Sequence, residues 1–333
     1  MKIRILMLLG MPIALLFAFH SRKPLVFWPK QVYSFQHEAG FKERVELGHL
    51  LFYDPVLSAD SSVSCASCHL QYTAFAHVDH ALSHGIHDSI GNRNAPALMN
   101  LAWHRELMWD GAIHHLDMQS LAPISHPAEM GSSIQEVVGK LNRSRKYAGA
   151  FYKAFGDSLA SGEFVLKSIS RFLTTLVSNR SKYDSVMNGT SVFTVQQKSG
   201  YEIFRKHCNS CHTEPLFTSL KYEDNGLPLN PRLNDLGRFS ITQNTADSFR
   251  FKIPTLRNIT YSYPYMHDGR FNSLGEVLNH YEKGMVQRKG MQKALKHNIA
   301  LSSVQKVDLV AFLLTLNDKH FLFNPELGFP KNK

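Results

Sequence analysis

Two Cys-x-x-Cys-His segments, Cys65-Ala66-Ser67-Cys68-His69 and Cys208-Asn209-Ser210-Cys211-His212, use all 4 cysteines of this 333-residue chain. At this spacing two thiols add across the vinyl groups of a haem, and the histidine that follows reaches the iron from the proximal side. Two disulfides or a Cys/His zinc site would also use four cysteines, but neither requires a histidine directly after both pairs. The motifs therefore predict two covalently bound c-type haems. Cys65, Cys68, Cys208 and Cys211 are the attachment points, and His69 and His212 the proximal iron ligands.

Elements of the same kind flank both motifs. Gly48 and Phe52 precede the first and Gly200 and Phe204 the second, a spacing that puts glycine and ring on one helix face. A second repeated block follows each motif at an offset of 158 residues. Pro96-Ala97-Leu98-Met99-Asn100 with Trp109-Asp110-Gly111 corresponds to Pro254-Thr255-Leu256-Arg257-Asn258 with His267-Asp268-Gly269. Thr194-Val195-Gln196-Gln197 and Ser302-Ser303-Val304-Gln305 are capping-box starts for a helix running into Cys208 and for a C-terminal helix. The latter is expected to bury Val304, Val307, Val310, Ala311 and Leu314. Residues 164–176 read as a helix and 188–191 as a linker. The expected fold is mostly α, with two cytochrome c-like haem domains, 25–188 and 189–333, related by internal duplication.

Residues 1–24 hold Lys2 and Arg4 before an apolar run, which reads as a signal peptide or an N-terminal membrane anchor. The run is shorter than the roughly 20 residues that span a bilayer, yet no clean small-x-small cleavage site follows it. Covalent haem attachment takes place outside the bacterial inner membrane, so the expected compartment is the periplasm. The formal charge of +10 could steer an acidic donor protein, but it reads more simply as solvated lysine and arginine. There is no nucleotide-binding loop, and no nucleic-acid partner is expected.

From Leu47 onward the chain resembles the bacterial di-haem cytochrome c peroxidase family, which includes MauG-type enzymes. The resemblance rests on Leu47-Gly48…Leu51-Phe52-Tyr53-Asp54-Pro55, Gly91-Asn92-Arg93-Asn94-Ala95-Pro96, Trp109-Asp110-Gly111 and Glu129-Met130. In the second half it rests on Phe251 to Asn258, Pro264-Tyr265-Met266-His267-Asp268-Gly269 and Leu309 to Leu313. It implies that the N-terminal haem reacts with hydrogen peroxide while the C-terminal haem receives electrons. Trp109 matches the interface tryptophan, and Glu129 and Gln119 match the distal pocket of the peroxidatic haem, where O–O heterolysis needs a proton acceptor and donor. Asn94, Ser262 and Pro264 match a calcium site between the domains, built from oxygen ligands. Tyr281, the offset partner of Pro123, falls where the family places the distal ligand of the C-terminal haem: methionine in typical peroxidases, tyrosine in MauG. Met266 and Met285 are the alternatives. His84 and His87 lie where some members carry a gating histidine, and Ala112 stands where an arginine is usual.

The leading expectation is thus a peroxidase that reduces hydrogen peroxide to water with electrons from a small cytochrome c or cupredoxin. The alternatives are MauG-like oxidation of a protein partner and a purely electron-transferring di-haem cytochrome. Family members are commonly homodimers.

Overall fold

The computed structural model describes residues 28–330, so the leader at 1–24 lies outside the described residues. Among the described residues eight helices of six or more residues form the frame: α1 (Phe41–Tyr53), α2 (Ile134–Arg143), α3 (Arg145–Phe155), α4 (Gly162–Thr175), α5 (Lys182–Met187), α6 (Val195–His207), α7 (Leu274–Asn279) and α8 (Ser303–Leu313). Short helical turns fill the segments between them. The two short strands, β1 (Tyr222–Glu223) and β2 (Phe251–Lys252), pair antiparallel with Tyr222 opposite Lys252. No helix among the described residues is long and apolar enough to cross a membrane.

α1 exists because Leu47, Gly48, Leu51 and Phe52 make one apolar stripe at helical spacing. It stops at Asp54-Pro55, where the Asp54 side chain accepts from Val56 N and proline cannot continue the ladder. The stripe packs on α4, whose start is capped by Ser161 and whose buried residues include Val165, Ile169, Phe172 and Leu173. A Cβ on Gly48 would fall 1.9 Å from the Ser168 carbonyl oxygen, so only glycine permits this crossing. The same device recurs in the second half. Thr194 caps α6 with the expected capping box, and a Cβ on Gly200 would fall 1.9 Å from the Asp308 carbonyl oxygen of α8.

α8 presents a different face from the one expected. Val304, Val307 and Leu314 are exposed, and the buried residues are Leu309, Phe312 and Leu313. The crossing at Gly200 fixes this, because it brings Asp308 and Phe312 against α6 and so turns the flanking valines outward.

Each half has its own core. Leu47, Leu51, Phe52, Phe75, Ile169 and Phe172 belong to the first, and Phe204, Phe217, Leu309, Phe312 and Leu316 to the second. The chain passes between them more than once. Tyr183 of α5 is buried in the second core, and Phe321 and Leu322 near the C-terminus return to the first. That return is fastened by Gln71 Nε2 donating to the Asn324 carbonyl at 2.5 Å and by His49 Nε2 against the Gly328 carbonyl at 2.7 Å.

Backbone conformation recurs at the offset seen in the sequence. Asn100 and Asn258 (φ +60° and +54°), Met108 and Met266 (φ +68° and +75°), and Gly111 and Gly269 (φ +82° and +65°) are each 158 residues apart. The isolated bridge Leu107–Ile113 has its counterpart in Tyr265–Phe271. Asn100 Oδ1 accepts from Ser178 N, as Asn258 Oδ1 does from Asp318 N.

Candidate functional site

Cys65 opens a single helical turn, Cys65–Cys68, whereas Cys208 caps the end of α6, and both histidines are oriented by backbone. His69 Nδ1–H donates to the Phe75 carbonyl at 2.7 Å. His212 Nδ1–H faces the Pro254 carbonyl at 3.1 Å and the Phe217 carbonyl at 3.3 Å. Phe75 and Phe217 take left-handed φ values of +57° and +54°, a strained conformation for an aromatic residue. Desolvation pulls the pKa of each histidine down to about 4. Each is therefore a neutral imidazole with Nδ1 occupied and Nε2 left over, the arrangement of an oriented metal ligand.

A cavity of about 290 Å³ runs through both halves, lined mainly by apolar side chains. Cys208, Cys211, His212 and Tyr281 line one part, Leu107, Met108 and Gln119 another, and Trp109 lies along it. The residues present fit two haems: two thiols and a neutral imidazole at each motif, with the apolar cleft opening on Cys208, Cys211 and His212. Gln119 adds a further sign. Its Nε2 donates to Met108 Sδ at 3.1 Å, while its Oε1 is buried with no partner among the described residues.

Burial pushes the Cys65 and Cys68 thiols up, and the charge of nearby Glu129 adds to the rise of both. Burial pushes the Glu129 carboxyl above its ordinary value, with the His126 charge pulling the other way. The loop before Gly91 covers it, since Ile86 N donates to the Glu129 carbonyl at 2.8 Å. On that loop His87 points outward, 3.6 Å from Asp60, and His84 stacks on His80 with ring centroids 3.9 Å apart.

Trp109 is clamped at the junction of the halves. Its Nε1 donates to the Asn94 carbonyl at 2.8 Å, its carbonyl accepts from Lys252 N at 2.7 Å, and Asn94 N donates to the His267 carbonyl at 2.7 Å. Asn94 thus holds Trp109 and its offset partner His267 together. Ser262 and Pro264 line the same cavity. Beside Ala112, two cations stand where the usual arginine is missing. Arg93 pairs with Asp110 and Asp235 at 2.5 and 2.6 Å, and Arg238 Nη1 donates to the Asp110 carbonyl at 3.0 Å. Neither arginine was marked by the motifs, although Arg93 sits inside the Gly91-to-Pro96 segment.

Tyr281 lies on a wide turn, His280–Gly284, that continues α7 with a π-type ladder, a local irregularity often found at functional positions. Burial pushes its phenol up to about 12. Met266 lines the cavity too, and its Sδ accepts from Asn225 Nδ2 at 3.3 Å; Met285 packs against Gly226.

The di-haem cytochrome c peroxidase model matches residues 42–192. Over 286 residues the chain is 36% identical to the methylamine utilization protein MauG of Methylorubrum extorquens, spanning 82% of this chain and 78% of that one. It is 32% identical over 280 residues to the cytochrome c551 peroxidase of Nitrosomonas europaea, spanning 82% and 80%. The chain belongs to the di-haem cytochrome c peroxidase family. Among solved structures, a MauG-like protein associated with microbial copper homeostasis superposes with a TM-score of 0.79 at 29% identity, covering 94% of this chain and 99% of that one. Membership of this family implies two c-type haems and an oxidoreductase activity, in keeping with the paired motifs.

Proposed function

We propose that this di-haem protein is a periplasmic peroxidase that reduces hydrogen peroxide to two waters, taking two protons from solvent and two electrons from a small cytochrome c or cupredoxin. Bound haem supplies the redox-active iron at each motif. The observation that carries the reading is the desolvated Glu129 carboxyl beside the first motif, together with the unpartnered Gln119 Oε1. A carboxylate whose proton affinity is raised by burial can take a proton from the near oxygen of peroxide and return it to the leaving one. Gln119 Oε1 can accept a hydrogen bond from the peroxide and fix its orientation. Trp109, clamped by Asn94 and Lys252, is the ring through which electrons pass from the second half to the first.

Steady-state oxidation of a reduced donor cytochrome by peroxide tests the reading. Glu129→Gln should slow the first reaction with peroxide by ~10²-fold, the usual worth of a positioned acid–base group. An unchanged rate of first-step peroxide consumption would refute its role.

Tyr281 favours a second reading, oxidation of a protein partner in the manner of MauG. With its phenol pushed up to about 12, Tyr281 would ionise at neutral pH only against a cation at its oxygen, such as the iron that His212 would also hold. A phenolate favours Fe(III) and lowers the potential relative to a thioether. In Tyr281→Phe the low-spin signal and potential of the second haem should change; an unchanged spectrum would rule out Tyr281 and leave Met266 or Met285. The offset of 158 residues, repeated in backbone conformation, supports an origin of the two halves by duplication. Asn94, Ser262 and Pro264, which share the junction cavity, are the proposed calcium ligands.

A further inference from the structure

The loop that follows Ala76 carries His77, His80 and His84, spaced His-x-x-His-x-x-x-His; only His84 falls at the expected gating position, and it stacks on His80. Bridges Leu70–Ala76 and His84–Ile90 pin the loop at both ends, and Cys68 Sγ approaches the His84 carbonyl at 3.2 Å. The ring centroids are 5.3 Å apart for His77–His80, 3.9 Å for His80–His84 and 6.5 Å for His77–His84. His77 is only 7% exposed, and its Nδ1 is buried without a hydrogen-bond partner among the described residues. His80 stands at the surface, so the group has a buried floor and an open mouth. A buried polar nitrogen left unmatched is uncommon in a folded protein and points to a missing partner. Burial also pulls the His77 pKa below the ordinary value, which keeps the ring neutral and able to offer a lone pair.

We infer that His77, His80 and His84 form a binding site for one first-row divalent cation of the zinc or copper class. Three imidazoles select such ions over calcium or magnesium, which prefer oxygen. With metal–nitrogen bonds of about 2.0–2.1 Å and tetrahedral angles, three coordinated rings have centroids about 5.2 Å apart. The His77–His80 separation already matches. The other two bracket that value and share His84, whose ring now stacks on His80, so no three ligating side chains among the described residues yet converge on one point. Drawing the His84 ring about 1.3 Å away from His80 and towards His77 brings all three to the coordinated spacing. Asp79 adds negative charge beside His77.

The test uses the di-haem holoprotein, stripped with EDTA and then equilibrated with micromolar Zn²⁺ against a chromogenic chelator, in excess Ca²⁺. Wild type should retain one Zn²⁺. His77→Ala and the surface variant His80→Asn should each weaken its binding at least 10-fold, whereas His297→Asn, at an exposed histidine elsewhere, should not. With Cu²⁺ as the probe, imidazole nitrogen couplings in the electron paramagnetic resonance spectrum should diminish in His84→Ala. Equal Zn²⁺ affinity in wild type and His80→Asn, or an equal loss in His297→Asn, would overturn the site. The measurement involves no turnover, so its result is independent of the peroxidase reading.

Discussion

Replacing Gly200 by alanine tests the helix crossing that delivers α6 to Cys208. The new Cβ would lie 1.9 Å from the Asp308 carbonyl oxygen, 2.6 Å from its carbon and 2.8 Å from Phe312 Cβ. Real Cβ contacts are essentially never under 3.0 Å, so α6 and α8 must separate by at least about 1.1 Å. None of the three obstructing atoms can rotate out of the way. Overpacking a core costs about 1–3 kcal/mol, and a clash with main chain belongs at the upper end of that range. Alanine's better helix propensity returns about 1 kcal/mol, which leaves a net loss of about 2 kcal/mol. Gly149 of α3 provides the opposite sign. A Cβ there meets nothing within 4 Å, so Gly149→Ala should stabilise by up to about 1 kcal/mol. Urea unfolding of the holoproteins, followed by far-ultraviolet circular dichroism, should show the midpoint falling in Gly200→Ala and rising in Gly149→Ala. A Gly200→Ala midpoint at or above wild type would refute the close crossing.

Other variants probe the site and its frame. Trp109→Phe should slow electron transfer between the haems more than the first reaction with peroxide, measured by stopped-flow reduction of the first haem. The peroxide reaction should rise with pH through a limb above the ordinary glutamate range, because the Glu129 pKa is raised and its base form is the one needed; a limb at or below that range would contradict it. Linkage gives stability the opposite trend: between the ordinary and the raised pKa the folded state holds the extra proton, so this residue's contribution declines as pH rises. Asp184→Ala strands Arg257, which is fully buried and bonded to both Asp184 oxygens at 2.8 and 2.9 Å, and should cost about 3–5 kcal/mol in unfolding experiments. Desolvation pushes the Asp184 carboxyl up, but the Arg257 hydrogen bonds and charge hold it below its ordinary value. The pair's contribution is therefore present above the ordinary aspartate pKa and is lost as pH falls through the lowered one.

Local signals in the sequence were sufficient wherever one residue type has only one physical use. The Thr194 and Ser302 capping boxes and the two Gly-x-x-x-Phe steps appear in the fold as their chemistry requires. The offset of 158 residues is legible down to backbone torsions, because asparagine, methionine and glycine at positive φ must each hold a turn in both halves. The outer face of α8 was not legible. Valines and leucines occur all round that helix, so periodicity leaves its orientation open until Gly200 selects the Asp308 and Phe312 side.

Long-range pairings were beyond reach for a different reason. Arg257 lies 73 residues from Asp184, and Arg93 is 142 from Asp235; nothing in local pattern says which of the chain's 27 acidic side chains will neutralise a given arginine. Both pairs tie one segment of the chain to another around the cavity, and Arg93 also holds Asp110 next to Trp109. The residues that position the junction are therefore charged and buried, and tertiary structure alone selects their partners. The same holds for the partly legible Asn94. Its motif marks the position, but its use as a bridge from Trp109 Nε1 to the His267 carbonyl depends on two loops meeting at the junction of the halves. A change there should therefore disturb communication between the haems before it disturbs either haem alone.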